Sequence, residues 1–492
     1  NDKENIDYLI QLSQKAGDEL QDLGFLEQSQ FNKYLERALS IRNNTSKTYL
    51  NNTTDYPNQF RVESIELTNI GHFKKISLKG INKKVICLIG ENGIGKSTIL
   101  RAIALGLIGV DQTSYINTEE NKLQNLLRIE EEKQYAIFYS KEGKIAINYI
   151  YDEEKLENTI SISSNTSKFP RVAFSDNGGE FKLNSTGTDG ELSRLLIGFP
   201  QSQGHFDYDY KSVNPGLEGI KNANVGDLLP LIYDALDDRI DKFSEWLITT
   251  YSIALQSGNG SWEETKEGQI VKKVFDLITQ LTDSTVSLRT IDFKQKKVWI
   301  TTQEAPEGIL LDLISQGFKK IFGWIGYFVM RMSEANEHID DFTKAYAIVF
   351  IDEIATYLHP KWQSKIIRLL VDNFPNVQFI ISTHSPLVVN SLRTDEVSII
   401  QIKSNNSEIT AQLITKNIYG ADINTVLEEI MDTPERPIEI KIMFNELFQL
   451  IEEQELEKAE KKYAELKSII SSTDNDLQRA DMLMETWRIL NS

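Results

Sequence analysis

Apolar residues recur mostly at three- and four-residue steps along the first stretch of the chain: Tyr8, Leu9, Leu12, Leu20, Leu23, Phe25, Leu26, Phe31, Tyr34, Leu35 and Leu39. That spacing predicts helix over 1–42. The run "RNNTSKTYLNNTTDYPNQ", rich in Asn and Thr, then reads as a polar linker. Alternation takes over in "RVESIELTNI" and "FKKISLKG" and predicts two strands. "KKVICLI" is a short apolar run, the pattern of a buried strand, and "ILRAIALGLIG" after it is helical. From Leu107 to about Gly204 short strands and turns dominate, among them a hairpin over "YAIFYSKEGKIAINYIYDE" with "KEG" at its turn. The chain turns helical from about Ala223 to Thr282, and "VSLRTIDF" and "KKVWITTQ" are strands again. A helix begins near Ser315, and "AYAIVFID" and "VQFIISTH" are buried strands. From Asn424 onward the reading is helical, through Met443, Leu447, Leu450, Ile451, Leu456, Ala459, Tyr463, Leu466 and Ile469. No internal repeat is visible, and no heptad stretch is long enough for extended coiled-coil arms.

Between the strand at "KKVICLI" and its helix stands "GENGIGKST", residues 90–98, a complete G-x-x-x-x-G-K-[ST] match. Gly90, Glu91, Asn92, Gly93, Ile94, Gly95, Lys96, Ser97 and Thr98 are therefore candidate nucleotide-binding residues. Backbone N–H groups of such a loop and of the following helix N-terminus take phosphate oxygens. Lys96 would reach the β- and γ-phosphates of ATP, and Ser97 would hold Mg²⁺. "AIVFIDE" ends an apolar strand in two carboxylates. Asp352 suits the Mg²⁺ shell, and Glu353 suits a general base that polarises the attacking water. His384 ends another apolar strand, either as a contact to the γ-phosphate or as a structural histidine. Ser315, Gln316 and Gly317 open a helix, either as a second anion site or as an ordinary N-cap. Pro360, in "YLHPKW", suits the first position of a helix.

Length and composition narrow the setting. The chain has 492 residues, 40% hydrophobic and 25% charged, which suits a globular protein of several domains. The single cysteine, Cys87, excludes an intramolecular disulfide and a Cys-based metal cluster, and its place in an apolar strand reads as a small buried hydrophobe. A reducing, cytoplasmic setting is expected. The first residues are polar and acidic and predict no secretory leader. The longest apolar run, "IFGWIGYFVM", is too short to span a bilayer, so no membrane association is expected. The net charge of −19 opposes nucleic acid except through local basic patches. Lys294, Lys296 and Lys297, and Lys319 with Lys320, are such clusters; each reads as a solvated face.

The order of these motifs carries a resemblance. Phosphate loop, Ser-Gln-Gly, strand-Asp-Glu, Leu358-His359-Pro360 and strand-Thr383-His384-Ser385-Pro386 together resemble the ABC-type ATPases of the DNA-repair and overcoming-lysogenisation branch, over about 61–110 and 310–400. The resemblance implies an α/β ABC-type ATPase head with a mixed β/helical insertion and helical N- and C-terminal segments. It divides the chain into a helical segment and linker (1–55), an ATPase domain (56–425, its core 56–110 and 310–425 and its insertion about 111–309) and a C-terminal helical region (426–492). It implies that Ser315 to Gly317 form a signature acting on ATP held by another protomer, hence a homodimer or higher oligomer. Gln316 stands where transporter ATPases have Gly, and Leu358-His359-Pro360 replaces their Leu-Asp element; both departures point away from transport. The family's Mg²⁺-completing glutamine falls on Gln201 or Gln203, with Gln201 preferred. An adenine contact falls on Phe73 or His72, with ordinary core packing the other reading of Phe73.

The overcoming-lysogenisation nucleases carry a Glu and a later Asp-x-Asp on strands after the ATPase. The tail here shows no such set, so no nuclease centre is expected in this chain. With "MDTPERP" followed by "IEEQELEKAEKKYAEL", the tail resembles predicted ATP-binding proteins that include the ATPase subunit of Septu-type anti-phage systems and some retron effectors. The resemblance implies an ATP-gated scaffold for a separate HNH nuclease, and in retrons a reverse transcriptase and its DNA product, with nucleic acid met through the complex. The rival expectation is a DNA-repair ATPase acting directly on DNA ends. A transporter ATPase is a weaker rival.

Overall fold

The computed structural model describes residues 60–108, 126–133, 136–151, 154–164, 170–175, 195–200, 223, 225–233, 239–258, 261–337, 339–356, 358–405 and 408–490. The predicted N-terminal helical segment and its linker lie outside the described residues. At the centre is a six-stranded sheet in the order Glu408–Ile414, Val397–Asn405, Val85–Ile89, Val377–Thr383, Ala347–Ile351, Leu195–Phe199. All neighbours run parallel except the antiparallel outer strand Glu408–Ile414. Val85–Ile89, Ala347–Ile351 and Val377–Thr383 are buried at every position. Parallel strands covered on both faces need unbroken apolar runs, which is what the sequence shows there. The register pairs Ile89 with Thr383, Ile381 with Ile351, and Ile351 with Phe199. The carboxyl ends of these four strands therefore share one edge, where ligands of open α/β sheets bind.

The edge strand Leu195–Phe199 comes from within the segment expected to be an insertion, so the sheet is assembled from three separated pieces of the chain. Strands Val397–Asn405 and Glu408–Ile414 are not among the predicted elements, although Glu408–Ile414 alternates polar and apolar residues.

A second, antiparallel sheet of five strands runs in the order Phe73–Lys79, Phe60–Ile70, Glu142–Tyr151, Glu154–Ser164, Pro170–Ser175. Its inner face covers the helix Lys96–Leu107, which is buried on nearly all sides. The approach is close: a Cβ on Gly106 would lie 2.2 Å from Ile147. Asn158 Nδ2 donates to Gly106 O at 3.1 Å. Gln378, fully buried in the central sheet, ties the two sheets together. It accepts from Val62 N at 2.7 Å and donates to Lys83 O at 2.9 Å.

The expected hairpin about "KEG" does not form. Ala136–Tyr139 pairs with Ile129–Lys133, and Glu142–Tyr151 pairs with Phe60–Ile70 and Glu154–Ser164. Gly143 is there for close approach and not for a turn. A Cβ on it would stand 2.8 Å from Ile70 and Leu127 side chains and 2.9 Å from Asn69 O. The alternating apolar face of Glu142–Tyr151 matches that of Phe60–Ile70.

Helices Arg239–Ser257, Lys266–Thr282 and Gln316–Ala335 pack together on the far side of Leu195–Phe199. Trp324 and Tyr327 set their ring edges on Phe199, at 6.0 and 6.2 Å between centroids. Gly326 lets the Phe243 ring in, since a Cβ would lie 2.4 Å from it. Beneath, Arg331 and Asp227 form a buried bidentate pair, with Arg331 Nη2 2.9 Å from Asp227 Oδ2, and Tyr327 Oη donates to Asp227 at 2.9 Å. Burial pulls the guanidinium's pKa down, but the facing Asp227 outweighs it and the group lies above its ordinary value. The last three helices, Ile438–Glu452, Leu456–Ile469 and Asn475–Leu490, share a core of their own built on Phe444, Leu447, Ile451, Leu466 and Leu477. Arg436 joins that unit at its start, paired with Asp476 at 2.8 Å and lying over the Phe444 ring. No helix among the described residues is long and apolar enough to cross a membrane.

Removing one half of a buried pair strands the other charge. Arg331→Met is expected to destabilise the chain by about 3–5 kcal/mol in urea titration, and Arg331→Met with Asp227→Leu to cost clearly less. Equal losses would show that packing, not the stranded carboxylate, sets the cost.

Candidate functional site

The phosphate loop leaves the central sheet at Ile89 and closes on the helix that starts at Lys96. Its three glycines have positive φ: 153° at Gly90, 76° at Gly93 and 107° at Gly95. Only glycine adopts such a run without strain. Two of them are also hemmed in. A Cβ on Gly90 would lie 2.7 Å from Ile402 O, and one on Gly95 2.8 Å from the Phe73 ring. Gly95 caps the helix without a side-chain hydrogen bond, so no side chain takes the first N–H groups. A helix N-terminus of this kind is an anion cradle.

Lys96 is the charge inside the cradle and is only 4% exposed. Its Nζ donates to Gly90 O and Glu91 O, each at 3.0 Å, and stands 3.3 Å from Glu353 Oε1. Glu353 is 6% exposed and has a φ of 50°, a left-handed backbone that a residue with a Cβ rarely takes. The neighbouring strand holds it there. Ser382 Oγ accepts from Glu353 N at 2.7 Å and donates to Asp352 Oδ1. Asp352 N donates to Phe199 O at 2.9 Å, and Ile354 N to Ser382 O at 3.1 Å. His384 Nδ1 lies 2.7 Å from Glu353 Oε2, with its ring 52% exposed. The structure thus brings together Lys96, Asp352, Glu353 and His384, four groups from three strand ends.

No sequence motif singles out Ser382. Its signal is a hydroxyl within a strand otherwise apolar from Phe379 to Ile381, where a buried polar group needs a partner. Cys87, in the adjoining strand, is fully buried, and burial together with the Glu353 charge pushes its thiol well above the ordinary range.

Ser315 caps the helix Gln316–Ala335, its Oγ accepting from Phe318 N at 3.4 Å, and is exposed. Gly317 is half-buried beside it, and the Gln316 side chain lies outside the described residues. Among the described residues no hydrogen bond joins Ser315 or Gly317 to the phosphate loop, Asp352, Glu353 or His384 of the same chain. The nearest link is indirect. The Phe318 ring meets Trp362 edge-on at 5.7 Å, and Trp362 neighbours His359. Pro360 does open its short helix, with His359 as cap. Gln363 Nε2 then donates to Leu358 O at 2.9 Å, and Ser385 Oγ donates to Gln363 Oε1 at 2.6 Å.

Of the two adenine candidates, Phe73 is fully buried against Gly95, while His72 is exposed near the same glycine. Gln201 and Gln203 lie outside the described residues. No cluster of three metal-ligating side chains occurs among the described residues. The donor chemistry suits a magnesium nucleotide instead. A hydroxyl (Ser97) and a buried carboxylate (Asp352) accompany the cradle, and hard oxygen ligands with phosphate completing the shell are what Mg²⁺ takes.

The family described as "AAA domain, putative AbiEii toxin, Type IV TA system" matches residues 233–390, a span that holds Ser315, Asp352, Glu353 and His384 and leaves out the phosphate loop. The chain is 26% identical to the retron Vc95 probable ATPase of Vibrio cholerae serotype O1 biovar El Tor, over 80% of this chain and 83% of that protein. It is 25% identical to Septu protein PtuA of Bacillus mycoides, over 75% of this chain and 44% of that protein. Among solved structures it is similar to the SMC head domain from Thermotoga maritima, with a TM-score of 0.40 and 13% identity, over 72% of this chain and 100% of that one. The chain is an α/β protein with a complete phosphate-loop motif, similar over most of its length to proteins named as retron probable ATPases and to Septu protein PtuA.

Proposed function

We propose that this protein binds and hydrolyses ATP as the regulatory scaffold of an anti-phage defence complex, and that paired ATPase heads control a separate HNH-type nuclease. The observation that carries the ATPase reading is the Lys96–Glu353–His384 chain beside an open phosphate cradle. The defence setting rests on the retron and Septu relatives. In retron surroundings a reverse transcriptase and its DNA product are further partners.

Lys96 holds Glu353 through one carboxylate oxygen and the loop carbonyls through its other protons. Phosphate oxygens of ATP in the cradle would compete for that ammonium. Glu353 would then be free to orient a water and take its proton as the water oxygen attacks the γ-phosphorus and the bond to ADP breaks. Ser382 fixes both backbone and neighbour of Glu353, so the base is positioned before substrate arrives. His384 keeps the second carboxylate oxygen directed and sits half-exposed where the γ-phosphate would end. Ser97 and Asp352 would hold Mg²⁺, which supplies charge neutralisation on the β- and γ-phosphates. Ser315 is exposed and Gly317 half-buried beside it, with no hydrogen bond to their own cradle among the described residues. That placement supports a signature acting on ATP of a second copy, in a homodimer or a higher oligomer. The three-helix tail has a core of its own, which supports a docking role.

Glu353→Gln is expected to keep ATP binding and lower hydrolysis by about 10²-fold or more, whereas Lys96→Ala loses binding itself; phosphate release and nucleotide-binding assays separate the two. Wild-type turnover in Glu353→Gln would remove the general-base assignment. Mixing inactive Ser315→Arg with inactive Lys96→Ala should restore part of the activity, because one composite site of the mixed dimer is then intact. No recovery at any ratio, with mixed dimers demonstrated by differential tags, would favour hydrolysis within one chain or a strict need for both sites at once. Truncation before Arg436 should leave ATP binding unchanged and abolish co-purification of the nuclease. A truncated chain that still carries its partner would make the tail only part of the ATPase core or of its own fold.

A further inference from the structure

The hairpin of strands Ser287–Asp292 and Lys297–Thr301 departs from the rest of this acidic chain. Its turn presents Phe293, Lys294, Gln295 and Lys296 to solvent, and Lys297 follows half-buried. Arg289 lies on the first strand at an irregularity in the pairing, its guanidinium against Gly308. Arg289, Lys294, Lys296 and Lys297 make no ion pair among the described residues. Many other surface lysines, such as Lys416, Lys441, Lys458 and Lys462, are paired. Asp292, the one carboxylate within the hairpin, is turned into it, with Oδ1 accepting from Lys294 N at 2.9 Å and Gln295 N at 3.0 Å. Glu263 lies near the adjoining Tyr251 and is held by Ser261 Oγ at 3.2 Å.

Two further features are unusual for a merely solvated turn. Phe293 is 45% exposed. One face of its ring lies parallel to Tyr251, 11° between planes at 6.3 Å, and Tyr251 is braced edge-on by Trp262 at 5.0 Å. The ring is therefore set parallel to Tyr251 and stays nearly half exposed. Lys296 has a φ of 53°, a left-handed position where Gly or Asn is the ordinary choice, so the sequence places a cation where the backbone disfavours one.

We infer that this hairpin is a contact site for single-stranded nucleic acid on this chain itself. An exposed, braced aromatic ring takes a base on its face, and unpaired cations spaced around it follow the backbone phosphates. An acidic peptide would use the cations and has no need of the bare ring. In duplex DNA the bases are already stacked and unavailable to Phe293. The inference stands apart from the ATPase reading, because the contact needs neither nucleotide nor hydrolysis.

The test uses the full chain without added nucleotide and a labelled oligothymidylate, read by fluorescence anisotropy over a salt series. Wild type should bind, with affinity falling linearly in the logarithm of salt. Lys294→Gln/Lys296→Gln/Lys297→Gln should weaken binding more than about tenfold at low salt and flatten the salt slope by about 2, at roughly 0.7 for each phosphate no longer neutralised. Phe293→Ala should weaken binding about tenfold with the slope unchanged. Lys458→Gln/Lys461→Gln, which removes two charges elsewhere, should change neither. Unaltered thermal unfolding and ATP binding confirm that each variant is folded. The inference fails if wild type does not bind the strand, or if the hairpin variants bind like wild type. It fails equally if the distant control loses as much, or if polyglutamate or duplex DNA competes as well as the single strand while Phe293→Ala has no effect.

Discussion

An ammonium and a carboxylate, both nearly out of water and 3.3 Å apart, are the constraint around which this structure is arranged. Two such charges lose several kcal/mol of hydration each, and their mutual attraction offsets that only if the remaining lone pairs and protons are also satisfied. Here they are. Lys96 directs its other protons to two loop carbonyls, and Glu353 turns its other oxygen to His384. For those partners to meet, three strand ends must finish at one level. That in turn requires the parallel register of the central sheet and the close approach of Phe73 to Gly95. The left-handed backbone at Glu353 is part of the same requirement, since the strand direction alone would not turn its carboxylate toward Lys96. Ser382 holds that conformation from the adjoining strand, which makes it a positioning residue although it carries no motif.

What could be read from the sequence follows from how local each signal is. The phosphate loop, the strand ending in Asp352–Glu353 and the cap at Ser315 are written in consecutive residues, and the structure puts the predicted elements there. Pairing partners are not local. "KEG" looks like a turn, but Gly143 is present because Ile70 and Leu127 leave no room for a side chain. That fact depends on a strand far away in the chain. Leu195–Phe199 is a five-residue apolar run like the other core strands, yet nothing near it shows that it closes the central sheet. Ser382 is illegible for a related reason: its role exists only across a strand pair.

The two charged regimes of the molecule answer to different physics. Inside the cradle, partners are fixed and few, so removing one strands another. On the surface most ion pairs are exposed and contribute little to stability. This is why the hairpin about Phe293 stands out. Its cations form no ion pair among the described residues, and its aromatic ring is braced toward solvent by Tyr251 and Trp262 instead of turned into the core.

The hairpin is linked to the phosphate loop's neighbourhood first along the chain and then through side-chain contacts. The third strand of the hairpin sheet, Ile309–Leu310, runs into the turn Leu311–Leu313 and then into Ser315. Behind Ser315, Phe318 seats its ring on Trp362. Gln363, one residue on, is bonded to Ser385, which directly follows His384. Close-packed contacts of this kind transmit displacement, because they have little room to absorb it. A shift of the helix Gln316–Ala335 would therefore disturb the Trp362 contact before it disturbed the phosphate loop, since among the described residues no hydrogen bond joins that loop to Ser315 or Gly317 at the start of the helix. The contacts behind Ser315 thus lead through Phe318, Trp362 and Gln363 to Ser385, the residue next to His384.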